Sequence, residues 1–314
     1  MGELHQLVLR KGREAAKRYV PEGERKLVDI AATVLEEESN ALGITYSGFC
    51  LTSLPHRRLP DGISWKRQSP KLTLLVEPGQ LLDGRGDVKS YGVPYGSRAR
   101  LILLYLQTEA VRNRSPEVEL GRSMRNWLER MGTTTGGKSY IDVRDQASRI
   151  SACRMTFFWP SGPDDRAIGF SKESIVQSGI QLYDWDDEQP RLWVDTVRLS
   201  DSFFNALKKH PVPIWEPAVR HIANQSMAID IYIWLAYRLR VLEKPTPITW
   251  AAAYAQFGAG YKEIRHFRPR FAESLKMALA VYPDAKVDID DDTGLTLHPS
   301  RPPIPEREMA ALLA

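Results

Sequence analysis

The stretch GTTTGGKS, Gly132 to Ser139, fits the nucleotide-binding loop pattern G-x-x-x-x-G-K-[ST], in which Lys138 would hold phosphate and Ser139 magnesium. The pattern carries mechanical requirements. The loop must leave a buried strand and open into a helix whose N-terminal amides cradle the phosphates. Upstream, ELGRSMRNWLERM sets Met124, Trp127, Leu128 and Met131 at helical spacing, with Arg122, Arg125, Glu129 and Arg130 on the other side. The nearest downstream acid that could hold magnesium ends the short run Leu192-Trp193-Val194-Asp195, in an acidic, proline-flanked stretch. The spacing therefore predicts helix, glycine turn, helix, and a P-loop ATPase stands as the lesser alternative.

Other chemistry is thinly represented. His5, His56, His210, His221, His266 and His298 include no H-x-H and no i, i+4 pair, so a metal-gripping nuclease site is not indicated. The acidic run Asp288, Asp290, Asp291 and Asp292 lacks the twelve-residue calcium pattern and coincides with a hairpin turn. Cys50 and Cys153 lie far apart with no ligand spacing around either, and read as reduced core residues. No nucleophile elbow is visible. The residues point to a binding protein rather than an enzyme, with no cofactor and no metal.

The chain has 314 residues, 43% of them apolar and 9% aromatic, enough for two or three folded domains. No apolar run reaches the ~18 residues needed to cross a bilayer, and the N-terminus has no uncharged stretch of signal-peptide length. The expectation is a cytoplasmic protein without membrane contact. The net charge of +4 hides a segmental pattern. Residues 98–154 hold eleven basic and six acidic residues, 164–201 four and nine, and 208–276 eleven and five. Two basic blocks that carry the same series of elements favour a polyanionic partner over mere surface solvation.

That series sets the expected architecture. Residues 1–95 read as an N-terminal helix/strand unit that could form a dimer surface or complete the first domain. Its one helix spans KLVDIAATVLEEESNALG, with Val28, Ala31, Ala32 and Leu35 on one face and Gly43 as the stop. Short apolar runs, ITYSGFCLTSL and KLTLLVE, follow, bounded by the turns PHRRLPDG and EPGQLLDGRGD. From Ser97 a strong helix precedes a strand at EVELG, the Met124 helix, the glycine turn, a helix from about Lys138 to Ala152, and extended segments around the break PSGPDDR. This is the order of a winged helix. It recurs after a linker, KKHPVPIWEP, as the deeply buried helix SMAIDIYIWLAYRLRVL, the strand PTPITW, the short helix AAAYAQFG, a glycine turn, the helix EIRHFRPRFAESLKMALAVY and a hairpin turning at Asp292-Thr293-Gly294. The fold class is α+β, with tandem winged-helix domains at 96–207 and 214–304; the proline-rich tail reads as peripheral.

In each module the helix after the glycine turn is the element that enters a major groove. On the first, Tyr140, Val143, Ala147 and Ile150 make the core seam, while Lys138, Ile141, Asp145, Ser148 and Arg149 face away with Arg144 at the flank. Lys138 and Ser139 suit backbone phosphate at a helix start; Arg144 and Arg149 suit guanine edges. On the second, Ile264, Phe267, Phe271, Leu275 and Ala278 are the seam, and Lys262, Arg265, His266, Arg270 and Lys276 project outward. Pro269 suggests that this helix starts near it, with Lys262, Arg265 and His266 in the preceding turn. For each of these side chains the plain alternative is a solvated or ion-paired surface residue.

Several long blocks carry a family likeness: GVPYGSRARLILLYLQTEAVR, ELGRSMRNWLERMG, GGKSYIDVRDQASRISACRMTFFW, SMAIDIYIWLAYRLRVL and FRPRFAESLKMALAVYPDAKVDI. Over about residues 90 to 300 the chain closely resembles the RepA-type plasmid replication initiators of Gram-negative bacteria. The resemblance implies two winged-helix domains that bind double-stranded DNA at direct repeats (iterons) of a plasmid origin. It further implies origin melting, recruitment of the host initiator and replicative helicase, and a homodimer that represses its own promoter. Within DNA binding, the alternative is a transcriptional repressor without initiator activity.

Overall fold

The computed structural model describes residues 1–69, 71–82, 86–161, 167–173, 175–178 and 196–305. Outside them lie the turn positions 83–85 and 162–166, the run Leu192–Asp195 with most of the acidic block, and the tail beyond 305. The chain divides into two compact units, Met1–Gly43 with Val212–Ala314, and Ile44–Pro211. The N-terminal stretch is thus shared: residues 1–43 pack with the last third of the chain, and residues 44–95 with the middle.

The first unit is built around α10 (Ser226–Arg238), whose residues Met227 to Ala236 are all buried. That fits a helix apolar on most faces. Against it lies α12 (Ile264–Ala280), with Phe267, Phe271, Leu275 and Ala278 fully buried as the seam predicts. Between them, α11 (Trp250–Phe257) is started by Thr249, whose hydroxyl accepts the Ala252 amide at 3.1 Å. Aromatic rings interlock edge-on here, Trp234 on Phe257 at 5.4 Å and Tyr254 on Phe267 at 5.4 Å. Strands β12 (Thr246–Thr249), β13 (Val287–Asp290) and β14 (Gly294–Leu297) form an antiparallel sheet in the order β12-β14-β13. Gly294, at φ 139°, permits this: a Cβ there would meet the Ile248 carbonyl at 2.1 Å.

The N-terminal part of the same unit contributes α1 (Glu3–Lys11), α2 (Arg13–Ala16) and α3 (Arg25–Glu36). Val8, Ala16, Val28, Ala31 and Ala32 close a small apolar cluster, and α3 packs on α12. Helix α9 (Glu216–His221) follows Trp215, whose amide donates to the buried Tyr232 hydroxyl at 2.8 Å.

The second unit centres on α5 (Gly96–Arg112), which is buried on nearly all sides. It packs on α7 (Gly137–Ala152) and α8 (Asp201–Lys209). Gln107 and Thr108 of α5 accept the amides of Tyr46 and Ile44 at 2.7 and 2.9 Å. Helix α6 (Met124–Arg130) buries Trp127 and Leu128 as its spacing predicts, and α4 (Ser47–Leu51) is short. Strands β2 (Trp65–Gln68), β3 (Thr73–Glu77), β7 (Arg154–Ser161) and β8 (Ala167–Glu173) form one antiparallel sheet in that order. A second sheet has β6 (Glu117–Glu119), β10 (Thr196–Leu199) and β9 (Val176–Ser178), and β4 (Gly79–Leu82) with β5 (Val88–Tyr91) makes a hairpin. Strands β1 (Leu42–Tyr46) and β11 (Pro211–Trp215) carry the chain across the boundary between the units.

Several local expectations are corrected. The N-terminal stretch holds α1, α2 and α4 besides α3, and ITYSGFCLTSL is half helix. Gly43 lies within β1, not at a helix stop; α3 already ends at Glu36. The expected linker contains β11, whose Val212, Ile214 and Trp215 are buried. In the second unit, β6 pairs with β10, whereas the β7–β8 hairpin extends the sheet begun by β2 and β3.

Candidate nucleic-acid interface

Helix α6, not a strand, precedes the GTTTGGKS loop, so the support that a P-loop requires is absent there. The turn is held instead by Thr133, whose amide and hydroxyl both donate to the Leu128 carbonyl at 2.9 and 3.2 Å. Gly136 precedes α7, and a Cβ on Gly136 or Gly137 would touch nothing within 4 Å. Lys138 is exposed at the helix start, with Ser139 half-buried and its hydroxyl 3.3 Å from that of Thr134.

Only the N-terminal half of α7 is open. Val143, Ala147 and Ile150 are buried as expected, with Tyr140 half-buried. Arg144 is half-buried at the flank. Ser148 and Arg149 were expected on the outer face and are instead buried, at 5% and 2% exposure. The cause is the segment laid over the C-terminal half of the helix. Gly79 approaches Ala152 so closely that a Cβ there would overlap its carbonyl, and the Tyr95 amide donates to Gln146 at 2.8 Å. Arg149 then bonds Asp145 at 2.9 Å and Asp61 at 3.1 Å, and its guanidinium stacks on the Tyr95 ring at 5.3 Å. It ties the 52–64 loop to α7 and cannot reach a base as placed. The guanidiniums of Arg149 and Arg58 hold the Asp61 carboxyl below its usual range against the burial that raises it.

The second candidate helix is more accessible. Contrary to the expectation from Pro269, α12 begins at Ile264 and runs through the proline, because Phe267 and Phe271 on either side are buried in the core and fix the segment as helix. Arg265 and His266 therefore belong to the first helical turn, and Lys262 to the loop before it; all three are exposed. Arg265 pairs with Glu263 at 2.7 Å and Arg270 with Glu273 at 3.2 Å, each between well-exposed partners. Lys276 meets Glu24 beside α3, so it belongs to the covered half of α12. Exposed pairs of this kind contribute about 0–1 kcal/mol and exchange readily for a stronger anion.

Sequence reading passed over Arg268. Its guanidinium stacks on Trp250 at 5.6 Å and donates to the Asp291 carbonyl at 3.3 Å, while the Trp250 indole donates to Asp290 and Asp291 carbonyls at 3.0 Å. The acidic hairpin is thereby fastened to α11 and α12. Asp290 spends its carboxylate on the Thr293 amide and hydroxyl and the Asp292 amide, and these bonds lower its pKa. Among the described residues no group of three His, Cys, Asp or Glu side chains could hold a metal ion, and no helix is long and apolar enough to cross a membrane.

Residues 93–251, half of the chain, match the family model described as "Plasmid encoded RepA protein". No curated protein matches the chain. Among solved structures, selenomethionine-labelled domains 2 and 3 of RctB are similar at 12% identity and a TM-score of 0.50, covering 81% of this chain and 95% of that one. A second structure of RctB domains 2–3 covers 77% and 91% at 12% identity, with a TM-score of 0.46.

Proposed function

Because the chain belongs to the family of plasmid-encoded RepA proteins, we propose that it initiates replication of its replicon by binding duplex DNA in a sequence-specific manner, without catalysis of its own. The observation that carries this reading is the α10-β12-α11-α12-β13-β14 module. Its three-stranded antiparallel sheet and its basic, accessible helix start support reading it as a winged helix that enters a major groove. Helix α7 supplies the second groove element. Both helices offer their N-terminal halves, the part of a recognition helix that meets base edges in this docking mode. Lys138, Ser139 and Lys262 would take backbone phosphate, and Arg144, Arg265, His266 and Arg270 the groove, with Lys276 at the covered end. Ser148 is buried, and Arg149 ties α7 to the 52–64 loop instead.

Binding to repeated sites would then bend and melt the origin, with contact energy offsetting deformation. Recruitment of the host initiator and helicase, and autorepression by a dimer, belong to the same proposal. Footprinting on DNA flanking the reading frame tests it directly: protection of repeated sequence is expected, with affinity falling by orders of magnitude between about 50 and 200 mM salt. Protection without plasmid maintenance would reduce the protein to a repressor. Tight ATP binding lost in Lys138→Ala would restore the ATPase.

A further inference from the structure

Ile141 is 67% exposed, and among the described residues no large apolar side chain is more so. It stands on the open half of α7, one helical turn after Lys138 and one before Arg144. The position costs the fold twice. A β-branched residue is a poorer helix former than a straight-chain one, and its hydrocarbon remains in water. Lys138 and Arg144 stand one turn to either side of Ile141, while Asp142 is half-buried and Asp145 is engaged by Arg149 at 2.9 Å and Gln146 at 2.8 Å. A lone apolar group between cations on a helix face fits a ligand that is anionic at its edges and apolar at one point between them. Duplex DNA has that character in its major groove, where phosphates flank the C5-methyl of thymine.

We infer that Ile141 reads a thymine methyl group, making it a specificity-determining residue of α7. This rests on the DNA-binding reading above. The test uses the full chain and a duplex enriched from a random-sequence library. Each thymine of the enriched site is replaced in turn by deoxyuridine, which removes only the methyl group, and Kd is measured for the wild type and for Ile141→Ala. One replacement should weaken the wild type about fourfold, the cost of leaving one methyl in water, and should leave Ile141→Ala unaffected. Because Ile141 makes little contact with the core, the variant keeps its fold, as circular dichroism would verify. A wild type indifferent to every replacement overturns the inference while DNA binding stands, as does an Ile141→Ala protein with the same losses. Failure to enrich any sequence removes the DNA-binding reading itself, and the inference with it.

Discussion

At the scale of single residues, Arg149 shows why chemistry read from helical spacing is incomplete. Its place on the wheel is outward, but the wheel does not register Asp61, 88 positions earlier in the chain, nor the Tyr95 ring and Gly92, where a Cβ would crowd the guanidinium at 2.9 Å. An ion pair between distant segments leaves no local signal. Arg149→Leu should therefore cost about 2–3 kcal/mol in urea unfolding, somewhat less than for a wholly buried pair because Asp61 and Asp145 stay partly hydrated. Removal of the exposed Arg265 or Arg270 should leave stability within about 0.5 kcal/mol while weakening DNA binding. Cys153 was legible as a buried thiol. Burial raises its pKa to about 12, and it should resist thiol reagents at neutral pH until the unit unfolds, as a colorimetric thiol titration would record.

Elements with long, strongly periodic apolar faces were legible. The seams of α7 and α12 lie largely where their spacing puts them, α10 is buried on most faces as its composition predicts, and D-T-G marks the β13–β14 turn. Short elements were not: α1, α4 and α9 have too few turns for periodicity to rise above composition, and Pro269 argued locally against a helix that core packing imposes. Strand pairing was also hidden, since nothing near β6 in the sequence indicates β10 as its neighbour. The β12–β14 contact depends on the missing side chain of Gly294. Gly294→Ala should force β14 away from the Ile248 carbonyl, destabilise the first unit by about 1–3 kcal/mol and loosen the β12-β14-β13 sheet, with faster amide exchange at Leu295 and Leu297 as the readout.

For the molecule as a whole, acid should act on both units. His5, in the first, has its pKa lowered by burial; His56, in the second, is lowered well below its ordinary 6.5 by burial and then by Arg100, Arg67 and Arg57. A histidine of depressed pKa binds its proton more readily when unfolded, so its contribution is intact above about pH 6.5 and is lost as pH falls toward the folded value. Thermal melts between pH 7.5 and 5 should show declining stability, and His56→Gln should flatten the decline for the 44–211 unit. The mixed α+β character and the positions of α7 and α12 could be read from the sequence, but not the division that splits the first 95 residues, because it depends on packing between segments far apart in the chain. That division has a consequence during synthesis. Residues 44–211 are contiguous in the chain, whereas α3 can pack early on α1 and α2 but must hold the face that meets α12 in water until α12 is translated. The nascent protein thus carries a half-sheltered greasy helix for most of its elongation, a natural target for a ribosome-associated chaperone.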